Sequence, residues 1–145
     1  MEKSSVLVVD NDEMVRLALT VYLNASQDFE VVGTADNGLE AVEQAIQLAP
    51  EVIIMEIRMP LMDGIEATRK IRQLMPDTAV VLLSDMDNFD AVRNGMNAGA
   101  SVVFPKGNPI PELTAAIHSV SNIRRTDPLK AVPLNAQFPQ QPDER

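Results

Sequence analysis

The 145-residue chain contains no cysteine and no tryptophan, one histidine, one tyrosine and four phenylalanines. The missing cysteine excludes disulfides, thiolate zinc sites and thiol catalysis, and fits a reducing cytoplasm. Aromatic residues make up 3% of the chain and hydrophobic residues 46%, so the core must be assembled from Val, Ile, Leu, Met and Ala. The single histidine, His118, lies beside the stripe Ile110, Leu113, Ile117 and Val120 and reads as a surface helix residue. No base is paired with a nucleophile and no glycine-rich phosphate loop appears, which argues against a nucleotide-binding enzyme, and the chain is not expected to be an enzyme. Long hydrophobic runs are missing too. The opening "MEKSSVLVVD" passes from a polar lead into four apolar residues and stops at an aspartate, which fits neither a signal peptide nor a membrane span. Basic charge is scarce: residues 1 to 123 hold 18 acidic and 8 basic side chains, a net charge of −10. Such a domain is repelled by DNA phosphates, so direct nucleic-acid binding is not expected.

What is present is an alternation repeated five times. The runs "VLVV" (6 to 9), "FEVVG" (29 to 33), "EVIIM" (51 to 55), "AVVLL" (79 to 83) and "SVVF" (101 to 104) are β-branched and short, as strands are. Between them apolar residues recur at helical spacing: Met14, Leu17, Ala18, Val21 and Tyr22; Leu39, Val42, Ala45 and Ile46; Ile65, Thr68, Ile71 and Met75; Val92, Gly95 and Met96; Ile110, Leu113, Ile117 and Val120. The strands do not alternate polar and apolar, so both sheet faces should be covered, as in α/β proteins with a parallel sheet. Right-handed crossovers put ligands at the carboxyl ends of the strands, near the point where strand order reverses.

Those ends carry a constellation. The first strand ends in Asp10, Asn11 and Asp12, the third in Glu56, the fourth in Ser84 and Asp85, and the fifth is followed by Lys106. Singly, each has a plain alternative: Asp12 suits a helix N-cap, and a loop lysine is usually solvated. Together, carboxylates, a hydroxyl and an ammonium are what a divalent cation and a phosphoryl group require.

Over residues 4 to 122 the sequence resembles the receiver domains of bacterial two-component response regulators. The resemblance implies a doubly wound, five-stranded parallel sheet of flavodoxin-like order 2-1-3-4-5 with five helices, over a domain spanning residues 1 to 123. It also implies cytoplasmic localisation and a sensor histidine kinase that phosphorylates the aspartate ending the third strand. On that pattern Asp10 and Asn11 hold the acidic-pair positions and Glu56 the phosphoacceptor position. Arg58 holds the place whose backbone carbonyl joins the metal, Met59-Pro60 and Asp63-Gly64 match the turn, Ser84 the switch hydroxyl and Lys106 the lysine. The segments "GAS…PKG" and "PIPELTAAIHSV" are most similar to receivers of transcription factors, which implies an effector domain or partner protein and a homodimer through the fourth helix, fifth strand and fifth helix.

Three positions depart from the pattern. Glu56 replaces the aspartate, Asn11 replaces the second metal-binding carboxylate, and Val103 stands where the family usually has an aromatic switch residue. Glutamate is longer by one methylene, roughly 1.5 Å, and in-line phosphoryl transfer needs finer placement than that. The loss of a carboxylate at Asn11 implies weak Mg²⁺ binding at best. The longer side chain is expected instead to reach Lys106 and imitate a phosphoaspartate in part, with Ser84 held nearby. Two alternatives stay open: an ordinary phosphoacceptor receiver in which Glu56 was engineered from aspartate, and a vestigial pocket on an interaction scaffold. From Arg124 onward, "RRTDPLKAVPLNAQFPQQPDER" holds four of the ten prolines and no glycine and reads as a linker or C-terminal tail.

Overall fold

The computed structural model describes residues 3–85 and 89–126, the side chains of residues 122–126 excepted. Five strands, β1 (Ser4–Val9), β2 (Phe29–Ala35), β3 (Val52–Glu56), β4 (Ala79–Ser84) and β5 (Val102–Pro105), alternate with five helices. These are α1 (Glu13–Ala25), α2 (Gly38–Leu48), α3 (Gly64–Leu74), α4 (Phe89–Ala98) and α5 (Ile110–Thr126). The strands are all parallel, in the order β2-β1-β3-β4-β5. The flavodoxin-like expectation is met, and strand order reverses between β1 and β3. The backbone of α5 runs to Thr126, past the expected domain boundary at 123. The proline-rich tail lies otherwise outside the described residues.

The central strands lack alternation because both of their faces are buried. Val6, Val8, Ile54, Val81 and Leu83 meet Leu19 and Leu23 of α1 and Leu113, Ile117 and Val120 of α5. Leu7, Val9, Ile53, Met55 and Leu82 face the opposite layer, where α2 and α3 supply Ala41, Ala45, Ala67 and Ile71. Small residues on that side let helices lie close to the sheet. Three helices begin where a side chain accepts from a free backbone N–H: Asp12 from Met14, Asn37 from Glu40 and Asp63 from Glu66. The N-cap reading of Asp12 therefore holds.

The apolar stripes expected for the helices hold best for α5, where Leu113, Ile117 and Val120 are buried and Ile110 half-buried. On α2, Ala41 and Ala45 are buried, while Leu39 and Ile46 are exposed. The stripe read on α1 is wrong by one face. Leu19 and Leu23 enter the core with half-buried Val15, while Met14, Leu17, Ala18, Val21 and Tyr22 face solvent. Apolar residues surround nearly the whole of α1, so spacing alone supports two stripes. The sheet takes the stripe of Val15, Leu19 and Leu23.

Candidate functional site

Four loops meet at the carboxyl edge of the sheet. β1 delivers Asp10 and β3 delivers Glu56, on neighbouring strands at the reversal point. Leu83 is the register partner of Glu56, which puts Ser84 one step beyond it on β4. Lys106 follows β5, its backbone N–H bound to the Ser84 carbonyl at 2.8 Å. The turn after β3 is held from both sides. The Gly64 N–H donates to the Ile57 carbonyl at 2.7 Å, and a Cβ at Gly64 would collide with the Glu56 carbonyl oxygen. The Asp-Gly sequence thus fixes where Glu56 leaves the strand, Asp63 capping α3 while Gly64 permits the close approach.

The side chains converge on Lys106. Its ammonium donates a hydrogen bond to Glu56 Oε1 and stands 3.0 Å from Asp10 Oδ2. The second contact is an ion pair, Asp10 Oδ2 accepting no hydrogen bond. Asp10 Oδ1 accepts the Asp12 N–H at 2.8 Å. Asp10 is 0% and Glu56 4% exposed, so two carboxylates taken out of water face one ammonium. Burial pushes the Glu56 carboxyl above its ordinary value, with the Lys106 hydrogen bond pulling the other way and the Asp10 charge adding to the rise. Burial alone would lower Lys106. Its hydrogen bond to Glu56 and its charge contacts with Glu56 and Asp10 outweigh this and hold the ammonium above its ordinary value.

The other sequence-derived positions are less central. Asn11 is exposed. Arg58 is solvent-facing, 4.0 Å from Asp85. Val103 lies within β5 on the α4 side, close enough to Gly95 that a Cβ there would press on it. His118 is less free than a surface helix residue: Nε2 is 3.1 Å from Asp28 Oδ2 and the ring packs 4.8 Å from that of Phe29. Two features escaped the sequence reading. Asp10 shares the ammonium with Glu56, and the Arg16 guanidinium donates to the Asp10 carbonyl at 2.7 Å, pinning the β1–α1 loop. The position of Arg16, one turn into α1 after the Asp12 cap, was the available signal.

Asp10, Glu56 and the Arg58 carbonyl are the groups that could hold a cation. A hard dication draws on carboxylate charge, and here both carboxylates also face Lys106. Among the described residues no group of three or more acidic or histidine side chains has metal-site geometry.

Parallel order 2-1-3-4-5, a carboxylate at the end of β3 and a lysine after β5 define a receiver, and the family description "Response regulator receiver domain" matches residues 6–118. The chain belongs to that family. It is similar to the transcriptional regulatory protein LiaR of Bacillus subtilis, 39% identical over 116 residues, which are 80% of this chain and 55% of LiaR. It is also similar to the response regulator VraR of Staphylococcus saprophyticus, at 33% over 81% of this chain and 56% of VraR. The chain therefore spans about half the length of these relatives. Among solved structures, the receiver domain of the putative response regulator NarL from Mycobacterium tuberculosis superposes with a TM-score of 0.81 at 30% identity, covering 84% of this chain and 98% of that one. Among the described residues no helix is long and apolar enough to cross a membrane.

Proposed function

We propose that this receiver is a signalling module, not an enzyme, whose state is set without a transferred phosphoryl group, Glu56 imitating a phosphoaspartate in part. The observation that carries this reading is the Glu56–Lys106 hydrogen bond inside a pocket closed by Asp10. A phosphoaspartate would bring about two negative charges to this place; the glutamate brings one, already in contact with the lysine. Mg²⁺ binds weakly for the same reason. Output then passes to an effector domain or partner protein in transcriptional or other regulation, as the names of LiaR and VraR suggest. A cognate sensor histidine kinase, if this chain docks one, would find a poor acceptor.

The test is intact-mass spectrometry after incubation with acetyl phosphate and Mg²⁺. No phosphoryl adduct is expected on the parent protein, and the double variant Glu56→Asp with Asn11→Asp should acquire one. A stoichiometric adduct on the parent protein overturns the reading and favours an ordinary phosphoacceptor.

A further inference from the structure

Between α1 and α5, at the carboxyl edge of the sheet, lies a groove of about 390 Å³ whose walls include Met14, Ala18, Leu19, Phe104, Ile110 and Leu113. Its lining is largely apolar, and Lys106 borders it at the ion cluster. Met14 is 69% exposed and Ala18 faces solvent, so the groove opens along the outer side of α1. A stretch of sequence outside the described residues has the pattern to fill it. Residues 132 to 139 read "VPLNAQFP". Every second residue, Val132, Leu134, Ala136 and Phe138, is apolar, with a proline or a polar amide between them. Alternation over eight residues belongs to an extended segment with one face buried, and a solvated linker has no need of it.

We infer that residues 132 to 138 lie extended in the α1–α5 groove of their own chain, apolar face inward, as a strap over that side of the receiver. The inference does not rest on the Glu56–Lys106 reading. Three observations make this segment the occupant. The first is reach. α5 starts beside the groove, and its backbone ends at Thr126, about 24 Å further along the helix axis. Returning over that distance takes about eight residues in an extended or polyproline conformation, at roughly 3.1–3.3 Å each. Counted from Asp127, the eighth residue is Leu134, so Leu134 arrives at the groove and Phe138 can enter it. The second is charge. Residues 1 to 123 carry −10, whereas residues 124 to 142 hold Arg124, Arg125 and Lys130 against Asp127 alone, a net +2, with no charge after Lys130. The acidic domain attracts the basic lead, and the uncharged part suits an apolar recess. The third is tethering. A short flexible connection presents the segment at millimolar effective concentration, so a contact with a Kd of about 1 mM, too weak to capture a separate molecule, is enough here. Leu17 and Val21, also exposed, lie outside the groove lining, and the strap leaves them uncovered. The docked strap shields the groove from other apolar partners, and its release is the event that opens it.

The chain has no tryptophan and no cysteine, so both reporters can be introduced without background. In the whole chain carrying Phe138→Trp, the emission should be blue-shifted and protected from acrylamide. Adding Ala18→Glu, which puts a charge into the groove, or Leu134→Asp should shift the emission to the red and expose it to the quencher, whereas adding Leu17→Ala should not. Far-UV circular dichroism checks that each variant folds. In the whole chain carrying Ala18→Cys and Leu134→Cys, oxidation at low micromolar concentration should close a disulfide within one molecule. Leu39→Cys on α2, on the other side of the sheet, should form none with Leu134→Cys. Emission of a fully solvated tryptophan, emission that Ala18→Glu does not move, or a disulfide that forms only between molecules overturns the inference.

Discussion

At the carboxyl edge of the sheet two carboxylates are withdrawn from water against a half-buried lysine, whereas along the outer face of α1 four large apolar side chains remain in it. The two regions adjoin, Lys106 bordering both the ion cluster and the groove. At the edge, burial of Asp10 and Glu56 is made tolerable by a cation the chain itself provides. On α1 nothing in the described chain answers the exposed apolar surface. In one region the charges are answered from within the chain, and in the other the apolar surface is left in water.

The largest effect should come from removing the internal cation. Lys106→Met leaves two buried carboxylates facing each other, and breaking a buried pair in this way costs about 3–5 kcal/mol. The deficit should be pH-dependent. With the ammonium gone, the folded-state affinity of Glu56 for a proton rises further above its unfolded value. The folded form then binds more protons than the unfolded form in the window between those two values, so stability falls as pH rises through it. Urea midpoints at pH 5 and pH 8 should therefore show a larger loss at pH 8. A variant as stable as the parent at pH 8 would remove Lys106 from its assigned role.

Next in size is a contrast within α1. Leu19→Ala removes a 4% exposed core residue and should cost about 2–5 kcal/mol. Leu17→Ala, two residues away, should stay within about 0.5 kcal/mol under conditions where the chain is monomeric. Chemical denaturation at low micromolar concentration measures both. Equal losses would mean that Leu17 is packed within the monomer and that the apolar face of α1 is not free.

That contrast also marks where the sequence stopped being legible. The five strands, the reversal point and the convergence of Asp10, Glu56, Ser84 and Lys106 followed from β-branched runs and from the rule that parallel strands present their carboxyl ends together. The approach of Glu56 to Lys106 followed from one added methylene. The wrong face of α1 did not come from misplaced helix bounds. Periodicity separates faces best when one of them is strongly polar, and "EMVRLALTVYLNA" offers only Thr20 and Asn24 and no charged residue beyond Arg16. Asp10 was read only as a metal ligand, because a resemblance to metal-binding receivers leaves no room for a carboxylate answered by a lysine.

The smallest effect is expected from Glu56→Gln, and its sign is the informative part. The substitution removes one of two carboxylates competing for a single ammonium, leaves the Lys106–Asp10 pair intact, and keeps an oxygen that can accept from the ammonium. The net change at neutral pH should be within about 1 kcal/mol, well below that of Lys106→Met. Burial is the largest influence on Glu56 and raises it above its ordinary value of 4.5, so the ionised carboxylate is held at a cost. In the parent protein, stability contributed by this group is greatest below 4.5, where both folded and unfolded forms are protonated, and declines as pH rises toward the folded value. Glutamine does not titrate, so the variant should gain on the parent as pH is raised from 4 to 7. Paired unfolding curves across that range decide it. If the parent gains on the variant instead, attraction to Lys106 outweighs the burial of Glu56, and the pocket stabilises its charge instead of merely tolerating it.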